Sequence, residues 1–200
     1  SKKQWGKPAD DDVLERLKIY NGISGSYFND LFEGIPIDGF SDMMENMLDL
    51  DNINLIKEET DENPDGYDIV IWTGPIDELQ DFDEEVDWRG TKFVYHDYDP
   101  FAPRLAPVYN ICTSLKAMTR STDIDQLTGG KSGLILEEYP NGEGKHYPIV
   151  KDRKRVADWI KRQEEKGLYC CGRLGTASYF DMDDTIENAI EVCQRIMEKY

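Results

Sequence analysis

The sequence predicts an α+β fold, a mainly antiparallel sheet with flanking helices. Three observations carry this. Short apolar runs between residues 53 and 150 are separated by clusters of Gly, Pro, Asn and Asp, the pattern of strands joined by tight connections. Apolar residues at three- and four-residue steps, the mark of helices, gather towards the two ends of the chain. Finally, the run Leu168-Tyr169-Cys170-Cys171 passes through Gly172 and Gly175 into a stretch where Ile186, Ala189, Ile190, Cys193, Ile196 and Met197 share one helical face. Such a strand, glycine turn and helix is where α/β proteins hold nucleotides at a sheet edge. It is equally the shape of an ordinary connection with a capped helix.

In chain order, Asp10, Asp11 and Asp12 can begin a helix carrying Val13, Leu14 and Leu17. Residues 21–26 read as a loop. Ser41 is placed to cap a helix whose Met43, Met44, Met47 and Leu48 share a face, with Phe40 stapled against Met44, and the methionine stripe reads as core. Ile53 to Lys57 alternates as a strand does, and Asn63-Pro64-Asp65-Gly66 closes an acidic loop. Tyr67 to Trp72 reads as a buried strand running into a glycine turn at Thr73-Gly74-Pro75, and the acidic run 77–87 as a solvated loop. Further strands are expected at 91–97 and 108–113. Thr128-Gly129-Gly130-Lys131-Ser132 lacks the first glycine of a phosphate loop, whose place falls on Asp125, and is read as a hairpin connection. Strands at 133–139 and 145–150 flank a turn-rich linker, Pro140-Asn141-Gly142-Glu143-Gly144, and 152–166 is a basic-faced helix ending at Gly167.

Composition narrows the function. The 200 residues carry a formal charge of −18, against the basic footprint that binding nucleic acid requires. No apolar run approaches the roughly 20 residues of a membrane span, and no signal peptide is recognisable. The four cysteines fit neither a disulfide framework nor a metal site, and a reducing cytoplasm suits them best. The start at Ser1-Lys2-Lys3 suggests an excised piece of a longer protein.

Six stretches of the chain resemble one family. Gly172-Arg173-Leu174-Gly175, with Tyr179, Asp181 and Met182 behind it, resembles the C-terminal signature of the UDP-galactopyranose mutases. Lys3-Gln4-Trp5-Gly6, Arg16 and Tyr27-Phe28-Asn29-Asp30 are similar to the family's sugar-nucleotide cleft segment. Phe32 to Phe40 resembles its F-x-G-x-P-x-x-G-Y, and Thr73-Gly74-Pro75-Ile76-Asp77 its T-G-P-I-D. Asn110 with Thr119-Arg120 resembles its N-Y and T-R pair, and Tyr147-Pro148-Ile149 its Y-P-I. The family's G-x-G-x-x-G unit for FAD is absent from the chain, Ser121-Thr122-Asp123 stands where I-T-E-H is usual, and Ala177 where tyrosine is frequent.

The resemblance implies a flavin-dependent isomerase that interconverts UDP-galactopyranose and UDP-galactofuranose for cell-wall polysaccharide. Reduced FAD serves the intact protein, and this chain alone binds none and is inactive. Arg120 and Arg173 would be the catalytic cations at the diphosphate. Trp5, Arg16, Tyr27, Asn110, Tyr147 and Tyr179 would bind the nucleotide sugar, while Gly172, Arg173, Asp181 and Met182 would face the cofactor. No metal is called for. Residues 1–66 would form a helical cleft segment, 67–88 a strand and turn of flavin-domain type, 89–150 the antiparallel substrate domain, and 151–200 a helix and strand–turn–helix returning to a Rossmann-like FAD domain. The partners implied are UDP-galactose or a related nucleotide sugar and a second copy as a homodimer.

Plainer readings stand beside these. Arg16 could be a helix-surface charge, Arg120 could pair with a nearby aspartate, and the tyrosines could be half-buried strand residues. A non-catalytic nucleotide-sugar-binding module without the flavin domain is the alternative function, and a piece of another amine-oxidase-like flavoprotein a third.

Overall fold

The β-strands and α-helices were assigned in a computed structural model that describes residues 2–6, 31–57, 66–99 and 104–200. The expected helix after Asp10 and the residues Arg16 and Tyr27 lie outside these. In order, the described elements are α1 (Lys2–Trp5), α2 (Gly39–Leu48), β1 (Val70–Trp72), β2 (Val86–Asp97), β3 (Val108–Asn110), β4 (Arg120–Asp123), α3 (Ile124–Thr128), β5 (Leu134–Val150), α4 (Arg153–Glu164), β6 (Leu168–Cys170), α5 (Gly172–Gly175) and α6 (Met182–Lys199). Strands β1 and β6 form a parallel pair, and the other four form a mainly antiparallel sheet in the order β2-β5-β4-β3. The expected mixture of helices and antiparallel sheet is present. The chain divides into two units, one of Ser1–Lys7, Thr60–Phe93 and Glu138–Tyr200, the other of Pro8–Glu59 and Val94–Glu137.

The first unit is layered around β1 and β6. Val70, Ile71 and Trp72 stand opposite Leu168, Tyr169 and Cys170. Because strand side chains alternate between faces, Cys170 turns towards α4 and packs with Val156 and Trp159, alongside Ile76, Leu79 and Val150. Tyr169 and Cys171 turn the other way, onto Val192, Ala189 and Ile196 of α6. Trp159 anchors the first layer: its ring meets Phe82 edge-on at 5.1 Å, and its indole N–H donates to the Asp81 carbonyl at 3.0 Å. The acidic run 77–87 is therefore not merely a solvated loop, since Leu79 is buried within it. Helix α4 matches expectation, with the Asp152 carboxylate accepting from the Arg155 backbone N–H at 3.0 Å and Gly167 taking φ +88° just beyond its end.

The expected turn at 140–144 does not exist. Strand β5 runs unbroken from Leu134 to Val150. The glycines serve close backbone approach instead: a Cβ on Gly142 would lie 2.3 Å from the Lys92 nitrogen, and one on Gly90 would lie 2.0 Å from the Gly142 carbonyl oxygen. Glycine inside a strand often marks such a contact, and local composition cannot tell it from a turn.

In the second unit, β3 and β4 pair antiparallel, Val108 opposite Thr122 and Asn110 opposite Arg120. Buried Asp123 ends β4 and caps α3, accepting from the Gln126 N–H at 3.0 Å. The phosphate-loop lookalike follows this one-turn helix and wraps a carboxylate of its own. Asp125 accepts from Ser132 N at 2.6 Å, Ser132 Oγ at 2.7 Å and Gly133 N at 2.8 Å. Two further expectations fail here. Residues 53–57 join no ladder and are exposed. Helix α2 begins at Gly39 behind Asp38 rather than at a Ser41 cap, and none of its residues is buried. Its methionine stripe is amphipathic but packs into no core, because periodicity specifies a face and not what covers it.

Candidate functional site

Helix α5 places the central residue of the first unit's site. Gly172 opens it at φ +76°, a conformation that favours glycine, and its N–H donates to Asn188 Oδ1 on α6 at 2.9 Å. Gly175 closes it against β1, where a Cβ would lie 2.5 Å from the Trp72 carbonyl oxygen. Both glycines are demanded by geometry, and between them Arg173 is held half-buried.

The Arg173 guanidinium is fastened to backbone carbonyls. Nε donates to the Phe180 carbonyl at 2.8 Å, Nη2 donates to the same oxygen, and Nη1 donates to the His146 carbonyl at 3.3 Å. Its carbon lies 4.9 Å from the Tyr179 ring centroid and 5.5 Å from that of Tyr147. Those two rings stack at 5.8 Å with 21° between their planes. Asp181 Oδ1 lies 3.9 Å from Nη2. One cation and two phenols are thus collected on a rigid frame, the donor set that suits a phosphate anion.

The turn that carries Tyr179 is itself braced. Ala177 is buried and left-handed, at φ +47°, which costs an L-residue about 1 kcal/mol. Arg153 Nη1 donates to its carbonyl at 3.1 Å. Asp181 precedes α6, and its backbone N–H donates to the Asp184 carboxylate at 2.9 Å. Met182 is the exposed first residue of α6. The structure therefore brings Tyr147, Gly172, Arg173, Tyr179 and Asp181 into one neighbourhood. Trp5 ends α1, and its side chain lies outside what is described.

Asn110 and Arg120 belong to the second unit and are direct cross-strand partners there, with Arg120 Nε donating to Asn110 Oδ1 at 3.0 Å. Sequence reasoning missed two supports. Arg104 binds Ser121 Oγ and the Ser121 carbonyl, both at 3.0 Å, and sits 4.6 Å above the Tyr109 ring, so it secures the residue next to Arg120. His146 accepts from the Thr91 backbone N–H through Nδ1 at 2.8 Å, tying to β2 the residue whose carbonyl receives Arg173. Neither had a motif to betray it. The cleft lined by His96, Asp97, Asp99, Arg104 and Glu137 opposes one guanidinium to three carboxylates and does not suit a diphosphate.

Comparison with known proteins agrees with the residue matches. A family model described as UDP-galactopyranose mutase covers residues 1–179. The chain is 29% identical over 217 residues to the probable UDP-galactopyranose mutase of Klebsiella pneumoniae, covering 98% of this chain and 55% of that protein. It is 29% identical to the dTDP-fucopyranose mutase of Escherichia coli (96% and 57%) and 27% identical to the UDP-galactopyranose mutase of Mycoplasma genitalium (98% and 56%). The chain thus spans a little over half the length of these relatives. With the family model matching most of its residues in the order read from the motifs, the chain belongs to the UDP-galactopyranose mutase family.

Proposed function

We propose that this chain supplies the nucleotide-sugar diphosphate site of a flavin-dependent mutase interconverting UDP-galactopyranose and UDP-galactofuranose. The observation that carries the reading is Arg173 held against the stacked rings of Tyr147 and Tyr179. Breaking the bond between the sugar and its diphosphate raises the negative charge on the leaving group. A fixed guanidinium needs no reorganisation to meet that charge and stabilises the departing group more than the bound substrate. The phenols would donate to phosphate oxygens and hold the leaving group for return. Asn110 and Arg120 are assigned to the same nucleotide sugar by the family resemblance, Arg120 as a further diphosphate ligand.

The residues present fit the edge of a flavin site. Strands β1 and β6 run parallel and both end in glycine turns, at Thr73-Gly74 and Cys171-Gly172, the end of a sheet where such ligands bind. These strands and α6 are read as part of a Rossmann-like FAD domain, with Gly172, Arg173, Asp181 and Met182 facing the cofactor. Reduced FAD, when bound, supplies the nucleophile. The pyrophosphate loop is not among this chain's residues, so turnover belongs to a protein that contains one, and the chain by itself binds the nucleotide without isomerising it.

Calorimetric titration of the chain with UDP, dTDP and UDP-galactose tests the reading. Saturable binding of UDP, weakened about thirtyfold or more in Arg173→Ala and weakened in Tyr147→Phe/Tyr179→Phe, is expected. The absence of binding by any nucleotide to a folded chain would overturn it. The dTDP arm asks whether the base preference follows the Escherichia coli relative instead.

A further inference from the structure

Residue 146 is tied to its surroundings twice. Adjacent side chains of a strand point to opposite faces, so on β5 the His146 ring turns towards β2 while Tyr147 turns to Arg173 and Tyr179. The ring meets Phe93 edge-on at 5.9 Å, and its Nδ1 accepts from the Thr91 backbone N–H at 2.8 Å. Its own carbonyl accepts from Arg173 Nη1 at 3.3 Å. Thr91 is buried, and a buried backbone N–H must find an acceptor. Here a side chain 55 positions away supplies it.

An imidazole nitrogen accepts a hydrogen bond only while it carries no proton. The bond to Thr91 therefore requires the neutral ring, with its proton on Nε2. In the imidazolium both nitrogens are donors, and Nδ1–H would face the Thr91 N–H, donor against donor. The ring would have to turn away, and the strand carrying Tyr147 would lose this tie to β2. Room for turning is narrow, since a Cβ on Gly144 would lie 3.3 Å from His146 Cε1. The charged groups on the surrounding elements are directed elsewhere. Lys145 of β5 reaches Asp77 and Glu78 at 2.9 and 3.0 Å. Glu143 of β5 and Lys92 of β2 are exposed, and Arg173 addresses the carbonyl. Among the described residues no carboxylate pairs with the ring.

We infer that His146 is a positioning residue for the diphosphate site, its neutral imidazole pinning β5 to β2 and so fixing where Tyr147 and the Arg173 guanidinium stand. It touches no substrate itself. The inference rests on the proposed nucleotide reading and adds a proton dependence to it. Imidazoles take up a proton in the physiological range. As His146 does so, the ring releases Thr91, the arginine and phenol lose their common register, and affinity for a nucleotide sugar falls with pH. A histidine that merely lay near the anion would act in the opposite sense, because the charge it gains would attract diphosphate.

The probe is UDP-galactose, whose diphosphate is esterified at both ends and keeps its charge, whereas the terminal phosphate of UDP titrates in the same range as imidazole. Calorimetric titration is run at about pH 8 and about pH 5.5, on either side of the imidazole range, beside a thermal melt. In the parent chain, affinity is expected to fall about fivefold or more at the lower pH. His146→Asn puts an amide oxygen where Nδ1 stood, an acceptor at any pH. It should bind within about twofold of the parent at the higher pH and lose the pH dependence. His146→Phe keeps a ring against Phe93 without the acceptor, and should bind about fivefold or more weakly than the parent at the higher pH while remaining folded. The inference is wrong if His146→Phe binds as the parent does, if His146→Asn keeps the parent's pH profile, or if parent affinity rises as the pH falls. Should His146→Phe not fold, the comparison of the parent with His146→Asn still decides. A folded parent chain that binds no UDP-galactose at either pH would overturn the nucleotide reading itself, and this inference with it.

Discussion

Replacing Arg173 separates its two tasks, holding a turn and holding an anion. In the folded chain its guanidinium donates to the Phe180 carbonyl from two nitrogens and to the His146 carbonyl from a third. A charged donor contributes about 1.5–3 kcal/mol per hydrogen bond when buried. The side chain is 30% exposed, so water replaces part of this, and Arg173→Ala should cost about 2–3 kcal/mol in all. For a chain of this size each kcal/mol moves the melting temperature about 2–4 °C, giving a fall of about 4–12 °C. Its loss from a phosphate contact removes a charge-assisted pair of similar size, and each 1.4 kcal/mol is about tenfold in affinity. UDP binding should therefore weaken about thirtyfold or more. Arg173→Lys discriminates further: the ammonium keeps the charge but cannot span both carbonyls and both rings, so affinity should recover only in part while the melt stays depressed. Calorimetry below the melting point of each variant, beside a thermal scan, reads both quantities. An Arg173→Ala chain that melts lower yet binds UDP as tightly as the parent would show that the arginine only braces the turn, and the diphosphate site would have to be sought elsewhere.

Arg120 is exposed and its Nε donates to Asn110, so Arg120→Ala should lower stability by no more than about 1 kcal/mol while weakening UDP about tenfold; equal affinity in titration would leave it a surface residue. Gly142→Ala should cost about 1–3 kcal/mol or more in urea unfolding, because the added carbon meets backbone atoms of Thr91 and Lys92 that cannot yield. Gly34→Ala, with nothing within 4 Å, is the control, and the argument fails if the two behave alike. Burial pushes the Cys170 thiol from 9.0 up to about 12, so in the fold it keeps a proton that the unfolded chain releases. Its contribution is complete below pH 9 and is lost as pH climbs towards 12; Cys170→Ala should flatten that part of the stability profile, and an unchanged slope between pH 9 and 11 would contradict the assignment. At pH 8 a thiol reagent should label Cys112 and Cys193 quickly and Cys170 only on denaturation.

What could be read in the sequence was local. Trp72 to Thr73 and Cys171 to Gly172 announced strands entering glycine turns, and both are present because an apolar run followed by glycine has few other solutions. The helix expected at 152–166 was legible for a similar reason and is present as Arg153–Glu164, whereas the β3–β4 pairing that sets Asn110 beside Arg120 was not, since no strand was expected at 120–123. The segment 140–144 was misread because glycine answers two needs, sharp turning and close approach, and only the neighbouring strand shows which. The supports Arg104, Arg153 and His146 had no signal at all. Each acts on a backbone carbonyl or amide far away in the chain, and backbone groups leave no pattern in side-chain order.

By itself, then, the sequence determined the family, the two strand-to-glycine-turn units at 72–74 and 170–172, and the chemical inventory of arginines and tyrosines. The tertiary structure decided which of these meet. It put Tyr147 from β5 and Tyr179 from the turn before α6 on the same guanidinium, joining residues 32 positions apart in sequence. It also divided the apolar residues of α6 into a packed face and an uncovered one. Periodicity records which way a side chain points along its own element. What it points at depends on a second element, and that is fixed only by packing.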